Sequence, residues 1–126
     1  MAEGRGISEA PMHEYSIVQA LMTQVEAQAR SRQAVAVHRI AISIGEMSGV
    51  EPELLEAAFE VVRPQTICEA ATLDIRRVPA RWVCGACGAE VPTGGTLRCA
   101  ACGGIARLAS GDEMMLEQIE LEVGDV

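Results

Sequence analysis

The chain has 126 residues, of which 49% are hydrophobic and only 2% aromatic, and its formal net charge is −8. This length suits one compact domain with a small additional module. All the basic residues apart from the two histidines are arginine. The acidic balance argues against binding to nucleic acid or to an anionic membrane, because both need clustered positive charge. No apolar run reaches the ~20 residues of a membrane span, and we expect a cytoplasmic protein without a signal peptide.

The first predicted helix follows a polar leader. Residues 1–11 carry glycine, proline and charge without periodicity, which is typical of a disordered segment. Apolar residues then recur at helical spacing and predict an amphipathic helix over about residues 13–31. The predicted buried stripe consists of Ile17, Val18, Leu21, Met22, Val25 and Ala29.

A strand and a second helix are predicted next. Residues 37–44 alternate with period two, which places the isoleucines at 40, 42 and 44 on one buried face. His38 falls on the same alternation, and we interpret it as structural. Pro52 suits the first turn of a helix. Pro64 is expected to end that helix near Arg63.

Two further strands flank a cysteine-rich segment. Residues 72–78 place Leu73 and Ile75 on one face, and residues 114–123 alternate again. The second of these strands is predicted to share a face among Met115, Ile119, Leu121 and Val123. Because both strands can belong to one sheet, the predicted fold class is α+β, with two helices, a three-stranded sheet and an inserted zinc-ribbon-like domain.

Two CxxC pairs of identical spacing form the strongest motif, at Cys84, Cys87, Cys99 and Cys102. Four thiolates brought together in this way fit a closed, tetrahedral structural zinc site. Each pair is followed by a glycine, Gly88 or Gly103, which we expect to let backbone N–H groups approach the sulfurs. Two disulfides and a rubredoxin-like iron site are the alternatives, although reduced thiols in the cytoplasm favour a metal. The fifth cysteine, Cys68, is expected to be a buried small hydrophobe.

The zinc motif alone leaves the function open. A zinc-ribbon protein-interaction module or nucleic-acid-binding module is the alternative function. An enzyme is not expected, since His13-Glu14 lacks the second histidine of an HExxH motif: Ile17 occupies that position.

Several longer motifs carry a family resemblance. The segment Met12-His13-Glu14-Tyr15-Ser16-Ile17 resembles the opening of the HypA/HybF family of hydrogenase nickel-incorporation proteins. The segments IGEMSGVEP (residues 44–52), AFEVV (58–62) and GDEM (111–114) are similar to later motifs of that family, and the CxxC pairs fall where the family has them. The resemblance covers about residues 12–124.

The resemblance implies a nickel metallochaperone that helps insert Ni(II) into [NiFe]-hydrogenase. The implied partners are the GTPase hydrogenase maturation factor, the hydrogenase large subunit precursor and, in some bacteria, urease maturation proteins. It also implies a nickel domain over residues 12–79 and 111–126, with a zinc-binding domain over residues 80–110. Residues 1–11 would be a disordered leader or a misassigned start.

The resemblance places the nickel site at the start of the protein. Met12 would supply its α-amine, His13 an imidazole and an amide, and Glu14 an amide or its carboxylate. Ni²⁺ accepts nitrogen donors in square-planar geometry. This donor set requires Met12 to be the N-terminal residue.

Residues 1–11 precede Met12 in this chain, and two interpretations follow. In the first, translation begins at Met12, and intact-mass measurement of the native protein would show that start. In the second, the leader is genuine and nickel binds His13 with other donors such as Glu14, Glu46 or Glu51.

Overall fold

The computed structural model describes the backbone of residues 5–124 and the side chains of residues 13–124. Within them lie two helices and six strands, and the strands form two three-stranded sheets. The elements in chain order are α1 (Arg5–Ser31), β1 (Ala34–Gly45), α2 (Pro52–Val62), β2 (Thr72–Val78), β3 (Arg81–Cys84), β4 (Glu90–Val91), β5 (Ala106–Ser110) and β6 (Met114–Val123).

Helix α1 begins at Arg5, earlier than the predicted start near residue 13. The expected disordered leader therefore differs from the observed helix over residues 5–11, while residues 1–4 lie outside the described part of the chain. Glycine and proline lower helix propensity, but they do not prevent a helix that continues into a long amphipathic segment. The predicted stripe is confirmed, since its buried members are Val18, Leu21, Met22, Val25 and Ala29, with Ile17 half-buried.

The first sheet has the strand order β2-β1-β6, so β1 lies in its centre. Ile40 and Ile42 are fully buried, as the alternation predicts. The predicted face of His38 is wrong, because its ring is exposed and lies 2.8 Å from a carboxylate oxygen of Glu122. Val37 and Ile40, three residues apart, are both buried, so the alternation breaks between them.

The predicted face of β6 is also wrong in part. Met115 and Val123 are exposed, whereas Leu116, Ile119 and Leu121 are half-buried. Two successive exposed residues at 117 and 118 shift the alternation by one position, which moves Met115 to the solvent side.

Contacts within the described chain divide it into two compact units. The first unit comprises Met1–Ile42, Glu51–Ile75 and Leu116–Val126, and the second comprises Ser43–Val50 and Arg76–Met115. In the second unit, β3 pairs antiparallel with both β4 and β5. The domain bounds expected from the sequence, with a zinc-binding domain over residues 80–110, stay a prediction.

Hydrogen bonds join the loop after β1 to the chain on both sides of the cysteine segment. Gly45 donates its N–H to Glu113 O at 2.8 Å, and Met47 donates to Gly111 O at 2.7 Å. The Glu46 carboxylate accepts the N–H of Ala80 at 2.8 Å. These bonds fix the two ends of the cysteine segment to one loop within the second unit.

Neither helix is both long enough and apolar enough to span a bilayer, as judged over the described residues.

Candidate metal centres

The four predicted cysteine ligands come together in the second unit. The Sγ atoms of Cys84, Cys87, Cys99 and Cys102 all lie within 4.8 Å of one another. Cys84 Sγ lies 3.4 Å from Cys102 Sγ, and Cys87 Sγ lies 3.6 Å from Cys99 Sγ. A tetrahedral site with metal–sulfur bonds of about 2.3 Å needs sulfurs about 3.8 Å apart. The cluster is therefore close to the size that a single thiolate-bound metal ion requires, and none of these cysteines is in a disulfide.

The four cysteines lie on two turns of the same kind, residues 84–88 and 99–103, which we call knuckles. In the first, Gly88 donates its N–H to Cys84 O at 2.9 Å, and in the second Gly103 donates to Cys99 O at 2.8 Å. Both glycines have positive φ, 80° and 77°, a conformation that other L-residues rarely adopt. The sequence repeat C-x-x-C-G thus specifies a repeated turn.

The glycine that lets backbone approach sulfur is a different one. A Cβ at Gly88 or Gly103 would meet no atom within 4 Å, so the role expected for these two residues is wrong. A Cβ at Gly104 would lie 2.8 Å from Cys84 Sγ and 3.3 Å from Cys102 Sγ. Gly104 follows the second knuckle by one residue, and spacing alone gave no reason to separate it from Gly103.

Backbone N–H groups lower the pKa of two of the four thiols. The N–H groups of Ala86 and Cys87 both point at Cys84 Sγ, at 3.3 Å. Hydrogen bonds from Cys87 and then Ala86 lower the pKa of Cys84 to about 6. The N–H of Cys102, followed by that of Ala101, lowers the pKa of Cys99 in the same way. These amides favour the thiolate, which is the form that binds metal.

The thiol of Cys102 differs from those of Cys84 and Cys99 in the direction of its pKa shift. The N–H of Gly104 acts to lower the pKa of Cys102, but hydrogen bonds with Cys84 and Cys87 outweigh it and raise that pKa to about 12. A cation at the centre would replace these shared protons, since metal binding to thiols releases them.

The apolar core around the cysteines is small. Its buried members are Cys84, Val91 and Cys99, with Trp82, Ala89, Leu97 and Ala106 packed against them. A core of this size supplies little stability on its own, and small modules of this kind depend on a bound metal.

The fifth cysteine lies in the first unit, apart from the cluster. Cys68 is fully buried, which confirms its expected role as a small hydrophobe. Burial, and secondarily the charge of Glu26, raises the pKa of its thiol to about 11.

The predicted nickel ligands lie on α1 and differ sharply in exposure. The His13 side chain is exposed. The neighbouring Glu14 is 1% exposed, and its Oε2 accepts the N–H of Glu51 at 2.9 Å. The side chain of Met12 lies outside the described residues. The carboxylate of Glu14 is thus occupied at the start of α2, a feature that the sequence gave no signal to predict.

The alternative carboxylate donors are placed differently. Glu51 is exposed and immediately precedes α2, with its N–H on Glu14, so its backbone adjoins the chain that carries His13. Glu46 belongs to the second unit and binds Ala80.

A family profile described as "Hydrogenase/urease nickel incorporation, metallochaperone, hypA" matches residues 12–121. The chain belongs to the HypA family. The match begins at Met-His-Glu and includes all four clustered cysteines. Members of this family are nickel metallochaperones of hydrogenase maturation, and this chain carries the four-cysteine metal-binding cluster within that fold.

Named relatives of the HypA family align over nearly their whole length. The hydrogenase maturation factor HypA of Wolinella succinogenes is 42% identical over 90% of this chain and 98% of its own. The HypA of Nitrosospira multiformis is 44% identical over 87% of this chain and 97% of its own.

Solved structures of the family have the same fold. The solution structure of the Ni metallochaperone HypA from Helicobacter pylori has a TM-score of 0.65 and 29% identity, covering 88% of this chain and 98% of that one. A second solution structure of a HypA protein has a TM-score of 0.71 at 31% identity, covering 90% and 98%.

Proposed function

We propose that this chain binds Ni²⁺ at His13 and delivers it during the maturation of [NiFe]-hydrogenase. The observation that carries the proposal is the family match, which begins at residue 12, where the Met-His-Glu motif begins. The exposure of the His13 ring supports it, because a cargo ion must be reached by whatever delivers it and whatever receives it.

The helical backbone of α1 limits which nitrogen atoms can bind nickel. With α1 starting at Arg5, the amides of His13 and Glu14 lie inside a helix, where each N–H is committed to a carbonyl four residues earlier. An amide engaged in that way cannot lose its proton to become a nickel donor. In a chain that begins at Met12, the first N–H groups of the helix are free. We therefore propose the amine-based set of Met12, His13 and Glu14, through its amide, as the tight nickel site.

In the longer chain the proposed donors are the His13 imidazole and an exposed carboxylate. Glu51 is the proposed carboxylate, since it adjoins Glu14 within the first unit. Oxygen donors are poorer than nitrogen donors for square-planar Ni²⁺, so we expect weaker binding by this set.

For the four-cysteine cluster we propose a resident Zn²⁺ held by Cys84, Cys87, Cys99 and Cys102. The donor set is all sulfur, and the N–H groups that point at Cys84 stabilise its negative charge. Zinc in a closed thiolate site supplies no catalysis and holds the module folded. The chain would thus be a carrier rather than an enzyme.

The proposed partners are the GTPase hydrogenase maturation factor and the hydrogenase large subunit precursor. Urease maturation proteins are a further proposed recipient, because the family description includes urease. Any nucleotide hydrolysis that drives the transfer would belong to the GTPase partner.

Nickel titration by calorimetry of the chain starting at Met12, beside the full 126-residue chain, tests the proposal. We expect tight binding by the shorter form, and at least tenfold weaker binding after His13→Ala because the imidazole donor is lost. His38→Ala is the matched control, since His38 is also exposed and its ring pairs with Glu122. Uptake of nickel by neither form, or equal affinity of His13→Ala and wild type, would contradict the proposal.

A further inference from the structure

Glu14 is one of only two polar or charged residues that are buried among the described side chains, the other being Ser43. Its Oε2 accepts the Glu51 N–H at 2.9 Å. Its Oε1 is buried and has no hydrogen-bond partner among the described residues. Buried polar atoms are normally paired, so an acceptor left open beside a predicted metal ligand needs an explanation.

The Glu51 N–H at the start of helix α2 needs a hydrogen-bond acceptor, and Glu14 provides it. Glu51 is the N-cap residue, but its own side chain makes no capping hydrogen bond, and Pro52 at the next position has no N–H. Glu14 accepts the N–H of the N-cap residue itself, which is the bond that a Glu or Gln at the third helical position makes in a capping box, where this chain has Leu54.

We propose that the side chain of Glu14 positions the nickel site and that its carboxylate is not a nickel donor, whichever role its backbone amide has: the side chain joins the residue after His13 to the start of α2 through one acceptor oxygen. This inference rests on the proposed nickel function and assigns a different task to one residue of that motif. Ligation through the carboxylate would require Glu14 to leave the Glu51 N–H and its buried environment, which would uncap α2.

The open Oε1 makes the inference testable by conservative substitution. A glutamine keeps the one acceptor that Glu51 needs, and the two N–H donors that it places at the buried position of Oε1 are expected to lower stability without breaking that bond. An aspartate keeps the charge but shortens the side chain by one methylene. If Glu14 acts by positioning, the length of its side chain matters more than its charge. If its carboxylate binds the metal, the charge is needed.

The experiment compares wild type, Glu14→Gln, Glu14→Asp and Glu14→Ala in the form that binds nickel in the titration above. It measures nickel affinity, and it measures hydrogen exchange of the Glu51 amide in nickel-free protein. We expect Glu14→Gln to stay within about threefold of wild type in both. We expect Glu14→Asp and Glu14→Ala to lose at least tenfold in nickel affinity and to exchange the Glu51 amide at least tenfold faster.

Two results would overturn the inference. One is loss of nickel binding by Glu14→Gln with Glu51 exchange unchanged, which would make the carboxylate a ligand. The other is normal nickel binding by Glu14→Ala. If Glu14→Ala does not fold, the Gln and Asp variants decide the question by the same criteria. Failure of the proposed function is distinguishable, because wild type itself would then take up no nickel while Glu51 exchange still differed among the variants; that result would leave Glu14 only a helix cap.

Discussion

At the scale of single residues, Gly104 shows how close the backbone comes to the metal-binding sulfurs. A Cβ on this residue would meet two of the four Sγ atoms, with the closer at 2.8 Å. Since these atoms are Cys84 Sγ and Cys102 Sγ, a methyl group at Gly104 would displace two sulfurs of the four-cysteine cluster.

Gly104→Ala is therefore expected to weaken metal retention without preventing the chain from folding elsewhere. The displaced Cys84 thiolate should bind the metal less well, and zinc should pass to an external chelator at least tenfold faster than from wild type. Gly95→Ala is the matched control, since a Cβ at Gly95 meets nothing within 4 Å. Equal zinc loss from the two variants would show that the Gly104 contact has no effect on the site.

Cys68 gives a prediction about reactivity and pH. Burial raises the pKa of its thiol from 9.0 to about 11, so alkylation of native protein at neutral pH should leave Cys68 unmodified while denatured protein reacts. Mass spectrometry of the digested protein measures this directly. Rapid alkylation of native Cys68 would contradict its burial.

The raised pKa of Cys68 also determines the direction in which the free energy of unfolding changes with pH. The folded state holds the Cys68 proton more tightly, so this contribution is fully present below pH 9 and is lost as the pH rises toward 11. Urea unfolding should show wild type losing more stability than Cys68→Ala across this window.

The residues of the site could be predicted from the sequence only where their spacing carried the chemistry. The clustering of the four cysteines follows from their spacing, whereas His13 comes from the family resemblance and stays a prediction. Glu14 as a buried cap and Gly104 as a close approach do not, because each depends on a partner brought near by folding, Glu51 in one case and Cys84 in the other.

At the scale of elements, the end of β1 and the chain leaving the cysteine segment touch through backbone. A Cβ at Gly45 would lie 2.2 Å from Gly111 O, and one at Gly111 would lie 2.7 Å from Ala80 Cα. Neither contact has a flexible side chain that could move aside. The loop after β1 and the exit of the cysteine segment are thus held at a spacing that only glycine permits.

Gly45→Ala is expected to lower the free energy of unfolding by about 3 kcal/mol, at the upper end of overpacking costs. The physical reason is that the backbone must shift to admit the methyl group, which lengthens the Gly45 and Met47 hydrogen bonds. Chemical denaturation of zinc-loaded protein measures the change, with Gly95→Ala again as control. A loss below about 0.5 kcal/mol would mean that the junction relaxes at little cost.

Among the elements, those with long, clear periodicity were predictable. The bounds of β2 and β6 agree with the predicted residues 72–78 and 114–123, and α2 begins at Pro52 as predicted. The faces of His38 and Met115 were not predicted correctly, because the burial alternation breaks between Val37 and Ile40 in β1 and at residues 117 and 118 in β6. Strands β3, β4 and β5 were missed because each is short and lies among cysteines and turns that carry no period.

At the scale of the whole molecule, the two units differ in what stabilises them. The first unit has an apolar core that includes Val18, Val25, Leu55 and Phe59, all of them at most 1% exposed. The cysteine-containing unit has a small cluster in which two of the three buried residues, Cys84 and Cys99, are proposed metal ligands. Its stability should therefore follow the metal.

Removal of zinc with a strong chelator is expected to unfold the cysteine segment while the helices persist. Trp82 is the only tryptophan and packs against the cluster, so its fluorescence should shift to that of exposed indole. Far-UV circular dichroism should retain most of its helical signal, since α1 and α2 lie in the first unit. Simultaneous loss of both signals, or no change in Trp82 emission, would contradict this division. Re-addition of zinc provides the control for reversibility.

The pattern of burial around the sulfurs has a kinetic consequence. In each knuckle the first cysteine, Cys84 or Cys99, is buried, and the second, Cys87 or Cys102, is exposed. If the four thiols hold a metal ion, a competing thiol would reach it most easily beside the exposed Cys87 and Cys102, while Cys84 and Cys99 stay covered. Exchange of the resident ion should accordingly speed up with the concentration of the incoming ligand instead of following a fixed dissociation rate.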